Sequence, residues 1–234
     1  MIHPRRSLRQ QRRRGQTPEE IFTEIYWENG WKGGESASGL GSSLAQTVAI
    51  RTDLPKLIRE FGWRSMLDLP CGDFHWMSRV DLDVDYVGAD VVKELVRRNR
   101  AQYARDRRRF VELDLLSDAL PTVDLVLCRD CLVHFSDEHV RRALGSIVAS
   151  GSEYLLTTTH PSQRGNRDVV TGGFRPLNLQ APPFDFPPPI RLIDENCTHR
   201  GTRGRKCLGL WPIAELPLKP ACTRRVPLAS RQCP

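Results

Sequence analysis

Short apolar segments alternate with helical segments between residues 65 and 159, and this alternation constrains the fold more than any other feature of the chain. The predicted strands cover 65–69, 85–89, 109–113, 123–128 and 154–159. The helical segments between them cover 73–79, 91–105 and 137–149. Strands that alternate with helices form βαβ units, which build a parallel sheet with helices on both faces. With two further strands over 190–196 and 206–213, the sequence predicts an α/β fold with a doubly wound, mostly parallel seven-stranded sheet.

The segments before this series complete one folded domain, which is predicted to cover 17–217. Thr17, followed by Pro18 and two glutamates, is typical of a helix start. A second helix is predicted over 43–61, with a break at Pro55 because proline interrupts helical hydrogen bonding.

Two irregular segments, at 31–42 and 161–189, are long enough to have a function of their own. The first is rich in glycine and serine, and the second is rich in proline. We expect them to form a lid and an acceptor pocket. Trp27, Trp31 and Phe174 would supply apolar walls to that pocket or pack in the core. A plain connector remains the alternative for 161–189.

Positive charge is concentrated at the two ends of the chain rather than in the predicted domain. The formal net charge is +7, but 17–217 holds all 28 acidic residues and only 25 of the 35 basic ones. A basic face for nucleic acid is therefore not expected on the domain. The ends, 1–16 and 218–234, are predicted to be disordered basic tails that could touch nucleic acid or anionic lipid. An arginine-rich start also fits a mitochondrial transit peptide.

The apolar and cysteine patterns favour a cytoplasmic protein without a metal site. No apolar run reaches the roughly 18 residues of a membrane span, and no secretory signal is recognisable. The seven cysteines show no repeated spacing, which argues against a disulfide framework and for a reducing compartment. Cys128 and Cys131 form a C-x-x-C pair, but the second pair that a zinc site requires is missing. Nothing in the sequence indicates an oligomeric state.

Acidic residues follow the predicted strands, at the edge where an open parallel sheet binds its ligands. Asp68 and Asp73 flank Gly72 after the first strand, Asp90 ends the second strand, and Asp114 follows the third. The sequence lacks the G-x-G-x-x-G turn that would cradle the phosphates of a dinucleotide. Acids beside this turn repel phosphate and favour a ligand with a cationic amine.

Two of these acids indicate the rest of the ligand. Asp90 is placed to accept hydrogen bonds from ribose hydroxyls. Asp114 could accept a hydrogen bond from the exocyclic amine of an adenine. A ligand with a ribose, an adenine and an ammonium group but no phosphate matches S-adenosylmethionine.

Several motifs follow one another in the chain. They are Ser38-Gly39-Leu40-Gly41-Ser42, Leu67-Asp68-Leu69-Pro70-Cys71-Gly72-Asp73-Phe74-His75-Trp76-Met77, Asp90, Asp114, Cys128-Arg129-Asp130-Cys131-Leu132-Val133-His134 and Asn166-Arg167-Asp168. Through the motifs within 66–160 the chain resembles class I S-adenosylmethionine-dependent methyltransferases, which have a Rossmann-like fold. The whole set is similar to an uncharacterised bacterial-type subgroup over about residues 20–215. Pro70 and Phe74 stand where the family's first motif commonly has glycine.

The resemblance implies a role for each of these positions. The cofactor-binding residues would be Asp68, Gly72 and Asp73 at the methionine end, Asp90 and Val91 at the ribose, Asp114 and Leu115 at the adenine, and Cys128 and Arg129 on the pocket floor. The candidate general bases are Asp130, His134 and His160, which follow the fourth and fifth predicted strands.

The sequence therefore predicts an enzyme that moves a methyl group from S-adenosylmethionine to an oxygen or nitrogen atom of a small molecule. Two other classes remain open. One is a nicotinamide-dependent oxidoreductase, which the missing glycines disfavour. The other is a non-catalytic protein of methyltransferase fold that uses its basic tails, since fold alone does not establish activity.

Overall fold

The computed structural model describes residues 13–198 and 205–218. Seven strands form one sheet in the order β3-β2-β1-β4-β5-β7-β6. They are β1 (Ser65–Asp68), β2 (Asp85–Asp90), β3 (Arg108–Glu112), β4 (Leu125–Cys128), β5 (Tyr154–Thr159), β6 (Arg191–Asp194) and β7 (Cys207–Pro212). The first five strands are parallel to their neighbours, and β7 is antiparallel to both β5 and β6. The predicted fold class, a mostly parallel seven-stranded sheet, is confirmed.

In the described residues, four α-helices cover the two faces of the sheet. They are α1 (Pro18–Trp27), α2 (Val48–Phe61), α3 (Lys93–Tyr103) and α4 (Asp137–Ala149). The helix start predicted at Thr17 is confirmed, because Thr17 Oγ1 accepts from the Glu20 amide and the Glu20 carboxylate accepts from the Thr17 amide. None of the helices in the described ranges is long and apolar enough to cross a membrane.

Strand residues alternate between two hydrophobic cores, one on each face of the sheet. Leu67 packs in the core that α1 and α4 cover, and the preceding Met66 packs in the core that α2 covers. Because successive strand side chains point to opposite faces, near-continuous apolar strands such as β4 supply both cores.

Two helix predictions need correction. The second helix is not broken at Pro55 but runs unbroken from Val48 to Phe61, because its buried face outweighs the one backbone hydrogen bond that proline removes. No α-helix forms over 73–79. Phe74 has a φ of 57°, which is incompatible with a right-handed helix, and only a short 3-10 turn, Met77–Arg79, follows it.

The proline-rich segment, 161–189, forms no helix or strand but is largely part of the core. Leu177, Leu179, Phe184 and Phe186 are buried on the α1 and α4 face of the sheet. Phe174, with 39% of its surface exposed, lies at the cavity described below. Of the two predicted basic tails, residues 1–12 and 219–234 lie outside the described residues.

Candidate functional site

A cavity of about 490 Å³ opens at the carboxyl ends of β1 to β5. This volume falls in the range of small-molecule and cofactor pockets, roughly 300–1,000 Å³. Residues 38–42 and α1 form the opposite side. Parallel pairing of β1 with β2 and β4, and of β2 with β3, brings the ends of these strands together although they are far apart in the sequence.

The cavity gathers ten of the twelve residues that the sequence singles out for the site. They are Asp68, Gly72, Asp90, Val91, Asp114, Leu115, Arg129, Asp130, His134 and His160. Asp73 and Cys128 do not line it. Cys128 is buried within β4 and packs in the core beneath. Trp31 and Phe174 line the cavity as apolar walls, whereas Trp27 lies at the surface with 63% of its area exposed.

The Asp73 carboxylate faces the loop that covers the cavity. It accepts hydrogen bonds from the Ser36 hydroxyl at 2.9 Å, the Ala37 amide at 2.7 Å and the Ser38 hydroxyl at 3.2 Å. Gly72 has a φ of 56°, and a Cβ atom there would lie 2.0 Å from Ser38 Oγ. Asp73 therefore anchors the covering loop, and only glycine at position 72 lets that loop approach the turn after β1.

Asp68 is a buried acid whose charge is costly in this environment. The Tyr86 hydroxyl donates to Asp68 Oδ2 at 2.6 Å. Burial raises the pKa of Asp68 to about 7, although this hydrogen bond and the nearby Arg129 oppose the shift. A cationic amine beside Asp68 would favour its charged form. Tyr86 was missed by the sequence reasoning, because its place inside β2 carries no signal of function.

The Asp90 carboxylate lies at the junction of β1 and β2. It accepts from the Gly72 amide at 3.0 Å and from the Val92 amide at 2.9 Å. Burial raises the pKa of Asp90 to about 6, and the backbone hydrogen bonds oppose the shift. These amides orient the carboxylate at the cavity wall, where its remaining lone pairs can accept from hydroxyl groups of a ligand.

Asp114 lines the cavity and also forms the turn after β3. Its carboxylate accepts from the Leu116 amide at 2.9 Å and from the Ser117 hydroxyl at 3.0 Å. Asp114 therefore has the turn-forming role that is common for aspartate at strand ends. It also borders the cavity, where a ligand could contact it.

Asp130 belongs to a buried cluster of four charged residues. Nζ of Lys206 lies 2.5 Å from Asp130 Oδ2 and 3.0 Å from Glu195 Oε2. Nε of Arg129 donates to Glu195 Oε1 at 2.7 Å, and Arg129 Nη1 lies 3.3 Å from Asp130 Oδ2. The cluster contains two acids and two bases, so its formal charges cancel.

Glu195 and Lys206 were missed by the sequence reasoning, although a signal existed. They lie near the facing ends of the two predicted strands over 190–196 and 206–213, where opposite charges can pair across adjacent strands. The structure pairs them through a backbone hydrogen bond, in which the Glu195 amide donates to the Lys206 carbonyl at 3.1 Å.

The charge cluster changes how Asp130 can act. Lys206 and Arg129 hold the pKa of Asp130 well below its usual range in spite of burial. A carboxylate with so low a pKa is a weak base and stays ionised. Asp130 is therefore suited to orienting its neighbours rather than to removing a proton.

His134 presents a free basic nitrogen at the cavity. Its Nδ1 lies 2.6 Å from the Gly173 carbonyl, so Nδ1 carries the proton and donates it to that oxygen. Burial lowers the pKa of His134, which keeps the ring neutral. Nε2 is consequently an unprotonated acceptor, the arrangement that a general base needs.

His160 has the opposite tautomer. The Leu177 amide donates to His160 Nδ1 at 3.2 Å, so the proton lies on Nε2. Burial lowers the pKa of His160 as well. Nε2 is buried and has no hydrogen-bond partner in the described residues. His160 lines the cavity, but its protonated nitrogen is closed off from it and its basic lone pair is already used.

Aromatic rings surround His134. The ring centroid of Trp31 lies 6.2 Å from that of His134, and the centroid of Phe174 lies 5.7 Å from it on a tilted plane. Phe22 of α1 stacks on Trp31 at 6.3 Å. The part of the cavity near His134 is thus apolar and aromatic, whereas the ends of β1 to β3 supply acids.

The acids of the cavity fit a ligand that carries hydroxyl and amine groups. Asp68, Asp90 and Asp114 all line it, and its described basic residues are Arg129 and Lys206, both paired within the charge cluster. A phosphate would meet carboxylates and no unpaired cation among these residues, so the donor set fits an adenosine derivative without phosphate.

Comparison with known proteins identifies the fold. No protein-family model matches the chain, and no curated protein matches it. The structure is similar to that of Burkholderia thailandensis 1,6-didemethyltoxoflavin-N1-methyltransferase, which was solved with bound 1,6-didemethyltoxoflavin and S-adenosylhomocysteine. The TM-score is 0.53, and the sequences are 14% identical over 83% of this chain and 86% of the other. It is also similar to the methyltransferase domain of bacterial CtHen1, with a TM-score of 0.52 and 11% identity over 73% of this chain and 100% of that domain. At such identities the likeness establishes the fold, which is that of class I S-adenosylmethionine-dependent methyltransferases.

Proposed function

We propose that this protein is an S-adenosylmethionine-dependent methyltransferase that methylates an oxygen or nitrogen atom of a small molecule. One observation carries the proposal. Three strand-end carboxylates, Asp68, Asp90 and Asp114, line the same cavity as a neutral histidine whose free nitrogen can accept a proton. The small-molecule acceptor is supported by the similar Burkholderia structure, which holds 1,6-didemethyltoxoflavin.

The cofactor would be held along the carboxyl edge of the sheet. In this proposal the Asp68 carboxylate and Gly72 hold the methionine end, Asp90 accepts from the ribose hydroxyls, and Asp114 with Leu115 borders the adenine. Bound S-adenosylmethionine supplies a methyl group on a positively charged sulfur. The acids at this edge suit that positive charge, whereas they would repel the phosphates of a nicotinamide cofactor.

The remaining residues position the acceptor and exclude water. The loop around Ser38, anchored by Asp73, covers the cavity from one side, and Phe174 with Trp31 covers it from another. Nε2 of His134 accepts the proton of an acceptor hydroxyl or ammonium group. Asp130 stays ionised beside it and holds no proton during the reaction. Alignment and water exclusion are the main contributions that a methyltransferase makes to this reaction.

Calorimetric titration of the purified protein with S-adenosylmethionine tests the proposal. We expect binding in the micromolar range and a loss of about 100-fold in Asp90→Ala, since charged hydrogen bonds to the ribose are removed. Asp85→Ala is the matched control, because Asp85 lies at the opposite, exposed end of the same strand. Asp90→Asn is a second variant that keeps the hydrogen bond from the Gly72 amide.

Two outcomes would contradict the proposal. The first is no binding of S-adenosylmethionine by folded parent protein, shown to be folded by circular dichroism. The second is tighter binding of NADH than of S-adenosylmethionine, which would favour an oxidoreductase.

A further inference from the structure

We propose that the methyl acceptor of this site is an uncharged, planar aromatic compound with a ring hydroxyl that donates to Nε2 of His134. This inference rests on the proposed function and specifies its acceptor. It draws on three properties of the cavity near His134: balanced charge, aromatic walls, and an acceptor nitrogen that has no hydrogen-bond partner among the described residues.

The first property is charge. The charged residues that line this part of the cavity are Arg129, Asp130 and Lys206, and they pair with one another and with the fully buried Glu195. An added carboxylate or ammonium group would lose its hydration and find no free counter-charge among these residues, which weakens its binding. An uncharged acceptor avoids this cost.

The second property is shape and polarity. Trp31 and Phe174 each lie within about 6 Å of the His134 ring, measured between centroids, and Phe22 stacks on Trp31. Aromatic rings pack favourably on one another in tilted and offset arrangements at these distances. The walls therefore favour a flat aromatic ligand over a sugar, whose hydroxyls would face apolar rings without partners.

The third property is hydrogen bonding. The Gly173 carbonyl fixes the proton of His134 on Nδ1 and leaves Nε2 as an acceptor. No described residue donates to this nitrogen. A ring hydroxyl supplies the missing donor, because an O–H group donates one hydrogen bond. An aromatic ring without a hydroxyl would leave the acceptor unsatisfied.

The reaction then balances without a further reagent. The O–H bond of the acceptor breaks, and its proton passes to Nε2 of His134. The freed electron pair on oxygen forms the new O–CH₃ bond as the S–CH₃ bond breaks, and the electron pair of that bond stays on sulfur. His134 later releases the proton to water.

Binding of matched probes tests the inference without relying on turnover. The protein is first titrated with S-adenosylhomocysteine. It is then saturated with it, and dissociation constants are measured by equilibrium dialysis for 2-naphthol, naphthalene, 2-naphthoate, protonated 2-naphthylmethylamine and decahydro-2-naphthol. We expect 2-naphthol to bind about 10-fold more tightly than each of the others, which is the effect of one buried hydrogen bond or one unpaired charge.

Variants assign the preference to the residues named. His134→Phe keeps an aromatic ring of similar size and should remove the difference between 2-naphthol and naphthalene. Trp31→Leu should weaken both probes. Trp27→Leu is its matched control, because Trp27 is exposed and lies outside the cavity, and it should weaken neither.

The outcomes separate the two proposals. If S-adenosylhomocysteine itself does not bind, the proposed function fails. If it binds but a charged or saturated probe binds as tightly as 2-naphthol, the aromatic hydroxyl acceptor is refuted and the proposed function stands. If His134→Phe retains the preference for 2-naphthol over naphthalene, His134 is not the partner of the hydroxyl and this inference is overturned.

Discussion

Nζ of Lys206 lies 2.5 Å from Oδ2 of Asp130, across 76 residues of chain. This contact joins the residue before β7 to the residue that follows Arg129 at the end of β4, and it turns a strand-end acid into one half of a buried ion pair. It also decides between the candidate bases, because a carboxylate held by a lysine and an arginine is a weak base. Under the proposed function, the proton-accepting role therefore falls to His134.

Removing Lys206 should destabilise the fold strongly. Lys206→Met leaves the buried Glu195 and the half-buried Asp130 with too little positive charge, so we expect a loss of about 3–5 kcal/mol in the free energy of unfolding, measured by urea denaturation. Arg205→Met is the matched control, since the neighbouring Arg205 pairs with Asp194 at the surface, and it should change the stability by less than about 1 kcal/mol. Equal effects in the two variants would mean that the buried cluster is not intact in solution.

Replacing Asp68 should make the protein more stable at neutral and higher pH. The pKa of Asp68 is raised from 3.8 to about 7 in the folded state. Between pH 4 and 7 the folded protein therefore binds more protons than the unfolded chain, and stability falls as pH rises through this window. Asp68→Asn removes this cost and should add on the order of 2 kcal/mol at pH 8 but little at pH 4.

The measurement is urea denaturation from pH 4 to pH 8. The stability of Asp68→Asn should still fall somewhat as the pH rises, because the pKa of Asp90 is also raised, to about 6. Asp106→Asn is the control, because Asp106 is exposed. Its free energy of unfolding should stay within about 0.5 kcal/mol of the parent's at each pH. A stability of Asp68→Asn at pH 8 below that of the parent would contradict the prediction.

Gly72→Ala should weaken cofactor binding by more than its loss of folding stability explains. An alanine Cβ would lie 2.0 Å from Ser38 Oγ at a φ of 56°, so the Ser38 hydroxyl must give up its hydrogen bonds with Asp73, which hold the covering loop. Gly62→Ala is a close control, because Gly62 has a φ of 70° but no atom within 4 Å of the added Cβ. Both variants should lose about 1 kcal/mol or more of stability. Gly72→Ala alone should weaken S-adenosylhomocysteine binding by about 10-fold, and unchanged affinity would refute the close approach of the loop.

The two cavity histidines should have opposite tautomers in solution. The hydrogen bonds predict a proton on Nδ1 of His134 and on Nε2 of His160. Both rings should be neutral at pH 7, because burial lowers the pKa of each below its ordinary 6.5. Long-range ¹⁵N–¹H correlation spectra distinguish the tautomers, with His134→Phe and His160→Phe for assignment. The same tautomer in both rings would remove the distinction between acceptor and donor.

Local patterns in the sequence predicted most of the elements. Residues 137–149 were predicted as a helix and 154–159 as a strand, and the structure has α4 and β5 at the same bounds. Capping and apolar periodicity are encoded within a few residues, so they are visible without the fold. Pro55 was misjudged because the cost of proline is local, whereas the packing that offsets it comes from strands that are distant in the sequence.

The site was predictable where it depends on strand ends. Asp68, Asp90 and Asp114 each follow or end a strand, and parallel pairing places such residues at one edge. Asp73 was expected at the ligand, but its carboxylate faces the Ser36–Ser38 backbone and hydroxyls instead. A turn's sequence indicates which residues it contains and not the direction in which each side chain points.

The sequence by itself determined the order of strands and helices, the edge at which ligands bind and the acids at that edge, because these follow from short-range periodicity and from the geometry of parallel sheets. Tertiary structure alone decided the protonation of the candidate bases. Lys206 forms an ion pair with Asp130 and keeps it ionised. The Gly173 carbonyl fixes the proton of His134, and the Leu177 amide fixes that of His160. Each partner is distant in the sequence, and a pKa or a tautomer depends on burial and on charges and hydrogen bonds that exist only after the chain has folded.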